Sequence, residues 1–202
     1  AEEHRLIRQE INSLPQVSPD SAYITNALYD SYIDCMLLAK DYAYENRRSI
    51  TKQIMDHLSA VGNITVTETF DTIHNYVDWY DSSHSSIIIR KGAVSALNGQ
   101  KLCIPLNMRD GIIVGTGRGN AEWNNSAPHG AGRLMSRSCA RNSLTLEEYA
   151  KALEGVSTWS VCDATLDEAP QAYKPPEEII ESITDSVSID FIAKTIYNFK
   201  AE

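Results

Sequence analysis

The sequence predicts an α+β fold, in which a single compact domain over residues 1–202 combines a long N-terminal helix with mixed short strands. Three patterns support this prediction: apolar residues at three- and four-residue spacing early in the chain, short apolar runs in the middle, and helix-capping residues in the last third. The chain is 43% hydrophobic, which excludes a disordered protein. No apolar run approaches the ~18 residues of a membrane span, so we expect no membrane association.

The first element is a long helix. Its apolar positions form one stripe, as expected for a helix that packs on one face. The stripe consists of Leu28, Tyr32, Cys35 or Met36, Ala39, Ala43, Ile50, Ile54, Leu58 and Val61. Two prolines upstream, Pro15 and Pro19, predict a loop over residues 14–20.

Short strands are predicted next, because apolar runs alternate with Gly, Asn and Ser. The runs lie at residues 64–67, 86–90, 101–104 and 111–114, and a final strand is predicted within residues 187–199.

Three short helices are predicted among the later residues. One covers residues 133–141. The second starts at a capping box formed by Thr145 and Glu148. The third starts at Pro175 and Pro176, which acidic residues follow in the first turn.

The number and spacing of the cysteines indicate the cellular compartment. A chain of 202 residues with four Cys and no C-x-x-C motif is typical of reduced intracellular thiols, and no secretory signal is recognised. We therefore expect a cytoplasmic protein.

Charge is unevenly distributed along the chain. The net charge is −9, yet residues 84–141 carry eight basic and only two acidic side chains. A basic centre in an acidic chain suits a phosphate-handling site, and chance clustering of solvated charges explains it equally well.

A glycine-rich run, GTGRGN at residues 115–120, suggests a phosphate-binding loop. It satisfies neither the G-x-x-x-x-G-K-[ST] pattern nor the G-x-G-x-x-G pattern, so a turn that needs positive φ is the favoured interpretation.

The run SAPHGAGRLMSR at residues 126–137 predicts chemistry at phosphorus. His129 precedes Gly-x-Gly, where the backbone can approach a ligand closely. The glycines lead into the predicted helix, whose N-terminal amides favour a phosphate, and Arg133, Arg137 and Arg141 fall on one face of it. His129 is thus the candidate nucleophile. A second histidine, His74, is by itself more typical of a structural histidine than of a metal ligand.

Several motifs together resemble one family, the RtcB-type RNA ligases. They occur in the family's order and spacing from about residue 14 onward, and the chain looks like the C-terminal half of that family's domain, with an RtcB-like fold. The motifs are IHNYV at 73–77, RKGA at 90–93, IP-x-x-M at 104–108, G-x-GN at 117–120, SA-x-HGAGR-x-x-SR at 126–137, AYK at 172–174 and FKA at 199–201.

The resemblance implies a GTP- and manganese-dependent ligase. Such enzymes join RNA that ends in a 2′,3′-cyclic phosphate or 3′-phosphate to a 5′-hydroxyl end, in tRNA splicing and RNA repair. His129 would attack the α-phosphate of GTP, giving a histidine-guanylate whose GMP passes to the RNA 3′-phosphate before the 5′-hydroxyl displaces it. His74 would be a manganese ligand, and Asn75 would contact the nucleotide phosphate.

The same resemblance assigns the remaining site residues. The guanylate would be held by Pro105, Leu106, Asn107, Met108, Gly130, Ala131, Gly132 and Lys200. RNA phosphates would be bound by Arg133, Arg137, Arg90 and Lys91. The expected partners are RNA (tRNA halves or broken RNA), GTP and an archease-like activator.

Two features depart from the family pattern. The usual PGSMG loop is PLNMR at residues 105–109, and Ile112 replaces a serine whose hydroxyl contacts the nucleotide. The family's other metal ligands, an acidic residue, a Cys and two His, lie in an N-terminal half that is absent here. We therefore expect a fragment or one chain of a split protein, whose two-metal site is completed by that half or by a second chain.

Two rival functions stay open. One is a related enzyme that processes other RNA ends through the same histidine chemistry. The other is an RNA-binding paralogue without catalytic activity, which the altered loop and Ile112 favour.

Overall fold

The computed structural model describes Arg5, Gln9, residues 26–80 and residues 86–200, and it confirms the α+β class. The described α-helices are α1 (Asn26–Val61), α2 (Arg137–Ser143), α3 (Leu146–Ala152) and α4 (Pro176–Ser182). Short 3-10 helices lie at Ala121–Trp123, Asp163–Glu168 and Pro170–Ala172. The strands are β1 (His74–Trp79), β2 (Ile87–Ser95), β3 (Lys101–Asn107), β4 (Gly111–Gly117), β5 (Ser126–Pro128) and β6 (Val187–Ala193).

The chain divides into two compact units. The first comprises Ala1–Thr65 and Tyr76–Ile89, and the second comprises Val66–Asn75 and Arg90–Glu202. The assignment of the entire chain to one domain stays a prediction.

The first unit contains α1, which confirms the predicted long helix. Ile33 is buried, and Lys40 Nζ forms an ion pair with Asp78 Oδ1 at 3.3 Å. The last four residues of the predicted apolar stripe, from Ile50 to Val61, are exposed, so this part of the stripe is not buried by the described residues. The loop predicted at residues 14–20 lies outside the described residues.

None of the described helices is both long and apolar enough to cross a bilayer.

Two three-stranded sheets form the framework of the site. One has the order β1-β2-β5 and the other the order β3-β4-β6, in which β4 pairs antiparallel with both neighbours. Four of the five predicted strands are confirmed, although the last ends at Ala193. The strand predicted at residues 64–67 is wrong: residues 63–73 have no regular structure, and the apolar side chains of Ile64 and Val66 are exposed.

The core of the second unit follows the two-residue period of its strands. Leu102, Ile104 and Leu106 alternate with less buried residues along β3 and point to the same face. They share one buried cluster with Ile179 and Ile183 of α4 and its C-terminal cap. This cluster holds β3 and β4 in place beneath the site.

The glycine run at residues 115–119 is explained by close packing. Gly115 and Gly117 lie in β4, and a Cβ atom at Gly117 would overlap the backbone of Ala96. Only Gly119, with φ of +64°, matches the predicted turn conformation.

The three later helices are present, with one wrong boundary. The helix predicted from residue 133 begins at Arg137, because Ser136 caps it by accepting a hydrogen bond from the Cys139 amide at 3.1 Å. Arg133 instead forms a β-bridge with Tyr173. The capping box of α3 is confirmed: the Thr145 and Glu148 side chains accept each other's amide hydrogens. The helix α4 begins at Pro176, as predicted.

Candidate active site

His129 is the first residue after β5. Its amide donates to the Gly92 carbonyl at 3.2 Å, and its imidazole is exposed. Gly92, which has φ of +75°, lies against this ring: a Cβ atom there would be 3.6 Å from His129 Nδ1. Because glycine has no side chain, the imidazole of His129 lies directly against the backbone at position 92.

His74 lies beside His129, although 54 residues separate them in sequence. The two rings stack with centroids 5.3 Å apart and planes inclined by 13°. The next residue, Asn75, has φ of +56° and accepts a hydrogen bond from the Gly92 amide through Oδ1 at 3.0 Å. Gly92 thus contacts both the predicted nucleophile and the neighbour of the predicted metal ligand.

A cavity of about 720 Å³ opens beside His129. This volume is typical of a small-molecule site. Of the residues predicted for the site, those that line the cavity are His129, Pro105, Leu106, Asn107, Met108, Gly130, Ala131, Gly132, Arg133, Arg137 and Lys200. Four others, His74, Asn75, Arg90 and Lys91, are not part of its wall.

The segment at residues 129–132 crosses the end of β3 at close range. The Ala131 amide donates to the Pro105 carbonyl at 3.1 Å, and a Cβ atom at Gly130 would be 3.2 Å from that oxygen. The segment does not enter a helix, since α2 begins five residues after Gly132, so the predicted anion site at a helix N-terminus is wrong. The amides of Gly130 and Gly132 donate to no described residue and stay available to a ligand.

The loop predicted at residues 105–109 is wrong over residues 105–107, which belong to β3 because they pair with β4, and the chain forms a tight, internally bonded turn only from Asn107 onward. Asn107 Oδ1 accepts hydrogen bonds from the amides of Arg109 and Asp110, each at 2.9 Å. Asn107 Nδ2 donates to Asp110 Oδ2 at 2.7 Å. Met108 is buried, and its sulfur accepts a hydrogen bond from Tyr149. The asparagine therefore gives this loop a fixed shape at the cavity wall.

Opposite α2 lie two adjacent carboxylates, Asp167 and Glu168, here called the acidic pair. Asp167 is only 1% exposed and accepts hydrogen bonds from Arg137 at 2.6 Å and from Arg141 at 2.9 Å. Burial opposes ionisation, yet these arginines hold the pKa of the Asp167 carboxyl below its ordinary value. The arginine face predicted from sequence is thus paired within the protein.

Glu168 accepts hydrogen bonds from three polar side chains of the cavity wall. It accepts hydrogen bonds from Tyr173 at 2.7 Å, from Arg137 at 2.9 Å and from Lys200 at 3.2 Å. Burial acts to raise the pKa of the Glu168 carboxyl, but Tyr173 and Lys200 lower it overall. Burial and the bond to Glu168 raise the pKa of Tyr173 to about 12, so the phenol stays a neutral donor.

The two predicted RNA-binding residues on β2 differ in exposure. Arg90 is 7% exposed, and its guanidinium donates to Ser126 Oγ at 2.9 Å and to the Asn124 carbonyl at 3.3 Å. Lys91 is exposed. Lys91 is therefore the one of the two that a phosphate can reach.

The donors for a metal ion are incomplete in the described part of the chain. No group of three or more His, Cys, Asp or Glu side chains there could hold a metal. His74 and His129 supply two imidazoles, which is fewer than the three protein ligands typical of a catalytic zinc centre.

Sequence reasoning missed Gly92, Asp167 and Glu168 as parts of this site. A weak signal was present for the acidic pair: Arg137 and Arg141, four residues apart on one helix, repel each other slightly, and adjacent carboxylates offset that repulsion. No local signal connects Gly92 to His129, because the contact depends on the pairing of β2 with β5.

Comparisons with known proteins agree on one family. The model of the tRNA-splicing ligase RtcB family matches residues 3–201. RNA-splicing ligase RtcB of Escherichia coli strain K12 is 29% identical over 200 residues, which cover 94% of this chain and 48% of that protein. RNA-splicing ligase RtcB1 of Escherichia coli strain ATCC 25922 is 30% identical, with the same coverage. tRNA-splicing ligase RtcB of Aeropyrum pernix is 28% identical, covering 86% of this chain and 40% of that protein. The chain thus spans about half the length of the curated relatives it matches.

Proposed function

Because the chain belongs to the RtcB family, we propose that it carries the nucleotidyl-transfer histidine of an RNA ligase used in tRNA splicing or RNA repair. One observation supports this most strongly. The exposed imidazole of His129 lies on the wall of a cavity of nucleotide size and stacks on His74.

The proposed first step is attack by the lone pair of a His129 ring nitrogen on the α-phosphate of GTP. A phosphorus–nitrogen bond forms, the bond to the β-phosphate oxygen breaks, and pyrophosphate leaves. The GMP then passes to the 3′-phosphate end of RNA, which frees the imidazole. The 5′-hydroxyl of the second RNA end then attacks the activated phosphate and loses its proton to solvent. This step releases GMP and joins the strands.

The cavity supplies the groups that such a nucleotide needs. The unused amides of Gly130 and Gly132 offer donors to phosphate oxygens next to the nucleophile. Lys200, held by Glu168, adds a positive charge on the same wall. The end of β3 together with Met108, residues 105–108, would provide the apolar and main-chain surface for the guanylate.

For RNA we propose Lys91 as the phosphate contact among the residues predicted earlier. Arg133, Arg137 and Arg90 each bond to protein groups, which makes them weaker candidates, although the Arg137 side chain is 68% exposed and its role as an RNA contact stays a prediction. An archease-like activator and a cytoplasmic location belong to this proposal as well.

Manganese, when bound, would supply positive charge at the phosphates. His74 fits one ligand position, since its imidazole is exposed next to the nucleophile. The other ligands would come from the N-terminal half of the family's domain, in the same protein or a second chain.

The test uses the complete protein with α-labelled GTP, manganese and RNA of defined ends. We expect covalent label on the protein and joined RNA, and we expect His129→Ala to abolish both. His57→Ala is the matched control, because His57 lies on α1 and bonds only locally to the Gln53 carbonyl. Label or ligation in His129→Ala, or their loss in His57→Ala, would contradict the proposal.

A non-catalytic RNA-binding role is the second candidate. It is favoured by Ile112 on the cavity wall in place of a hydroxyl, and by the Ala131 amide already bonded to Pro105. Under that role the protein binds RNA and never takes up the label.

A further inference from the structure

Trp159 is an exposed tryptophan near the candidate active site, and the proposed chemistry assigns it no role. Trp159 is 88% exposed, the largest value among the apolar side chains of the second unit. Its indole meets the Tyr197 ring at 81°, with centroids 6.2 Å apart. An edge-to-face contact covers at most one face of the indole, so a broad aromatic face stays open.

The main chain fixes this aromatic pair in position. The Ser157 amide donates to the Ile196 carbonyl at 3.0 Å, and the Asn198 amide donates to the Ser157 carbonyl at 3.0 Å. On the far side of Trp159, Ser160 Oγ accepts from the Lys200 amide at 2.8 Å. Trp159 is therefore held on a short segment bonded on both sides to the C-terminal segment at residues 194–200.

The C-terminal segment connects the aromatic pair to the cavity of His129. Tyr197 and Lys200 line that cavity, whereas Trp159 itself is not part of its wall. Lys194 lies on the same segment, is exposed and has no carboxylate partner among the described residues. Asn198, also on the wall, has a buried Oδ1 without a described hydrogen-bond donor.

We propose that Trp159 and Tyr197 form a stacking site for one base of single-stranded RNA, at the mouth of the cavity. Aromatic rings beside cations are the usual combination for binding single-stranded nucleic acid. The position outside the cavity wall favours an RNA base over the guanine of GTP, which would lie inside. This inference rests on the proposed RNA function.

The test measures binding of the complete protein to a labelled 12-nucleotide single-stranded RNA with a 3′-phosphate. Trp159→Ala should weaken binding about 5- to 100-fold, and Trp159→Phe should retain most of the affinity. Trp123→Ala is the matched control, since Trp123 is exposed in the same unit but lies in the 3-10 helix Ala121–Trp123, for which no described hydrogen bond to the C-terminal segment exists. The salt dependence should not change in Trp159→Ala, because no charge is removed.

A second measurement locates the stacked base. RNAs with one abasic nucleotide at successive positions should include one position at which Trp159→Ala has no further effect. Two results overturn the inference alone: equal RNA affinity in Trp159→Ala and wild type, or weakened binding of GTP in Trp159→Ala with unchanged RNA binding. If the complete wild-type protein binds no RNA, the proposed function itself fails.

Discussion

Gly92 contacts His129 and bonds to Asn75, and its role is conformational. Its φ of +75° is accessible to glycine at little cost, its carbonyl accepts from the His129 amide, and its Cα faces the imidazole. Any side chain at this position would both strain the backbone and contact the candidate nucleophile.

We therefore expect Gly92→Ala to lower the free energy of unfolding by about 1 kcal/mol and to shift the ring signals of His129. Urea unfolding and histidine NMR spectra measure the two effects. The strain comes from the positive φ, and the shift comes from a methyl group placed against the imidazole.

Gly99→Ala separates these causes. Gly99 has φ of +79° but no atom within 4 Å of the added Cβ. It should lose similar stability and leave the His129 signals unchanged. An equal shift in both variants would show that Gly92 does not position the ring.

The buried Asp167 determines how α2 is held. Asp167→Asn should lower the free energy of unfolding by about 2 kcal/mol at pH 7, because two charge-assisted hydrogen bonds weaken. The pKa of Asp167 is lowered in the folded protein, so its contribution is present above the ordinary value of 3.8 and is lost as the pH falls through the lower folded value. Urea unfolding at several pH values should show the two proteins converge below pH 3.8.

Asp163→Asn is the control for this measurement, since Asp163 is exposed at the start of the same 3-10 helix. It should change stability by less than about 0.5 kcal/mol. A constant difference between wild type and Asp167→Asn down to pH 2 would show that the charge of Asp167 is not the cause.

At the scale of elements, β4 is the strand on which the site's framework depends. It lies between β3 and β6, and it approaches Ala96 so closely that only glycine fits at position 117. The HGAG segment then rests on the end of β3, through the bond between Ala131 and Pro105.

Gly117→Ala should therefore destabilise the protein by about 3 kcal/mol, because the new methyl group forces two backbones apart. Thermal or urea unfolding measures it. Gly62→Ala, at a position with open space around the added Cβ, should have an effect within about 0.5 kcal/mol of zero. Comparable losses in the two variants would rule out the packing explanation.

The sequence predicts correctly those elements whose boundaries depend on residues close together in the chain. The capping box at Thr145 and the proline before α4 depend on neighbouring residues, and both boundaries are confirmed. The start of α2 was wrong because the bridge between Arg133 and Tyr173, 40 residues apart, overrides local helix propensity. The strand at residues 64–67 failed for a related reason, since alternation alone does not supply a partner strand.

At the scale of the whole molecule, ion pairs offset much of the positive charge that the sequence places at residues 84–141. Lys101 pairs with Asp190 at 2.8 Å, and the arginines at and before α2 pair with the acidic pair. Acids of the C-terminal part thus neutralise much of the positive charge at residues 84–141. Sequence could count these charges, but it could not show which of them meet in the fold.

The salt dependence of RNA binding should accordingly be shallow. Basic side chains of the second unit without a carboxylate partner among the described residues are Lys91, Arg118, Lys151 and Lys194. If the 202-residue chain uses these for single-stranded RNA, the slope of log K against log salt should be about −1 to −3. Titrations from low to moderate salt measure it.

Lys91→Ala should make that slope shallower by about 0.7. A wild-type slope of −5 or steeper would mean that RNA also displaces the acidic pair from its arginines.

The most direct measurement identifies the atom that carries the nucleotide. The complete protein is incubated with GTP and manganese, digested without acid, and its peptides are mapped by mass. The account predicts one GMP, attached to the imidazole of His129 and absent from His74. A GMP on lysine or on any other histidine, or no GMP on a protein that joins RNA ends, would contradict it.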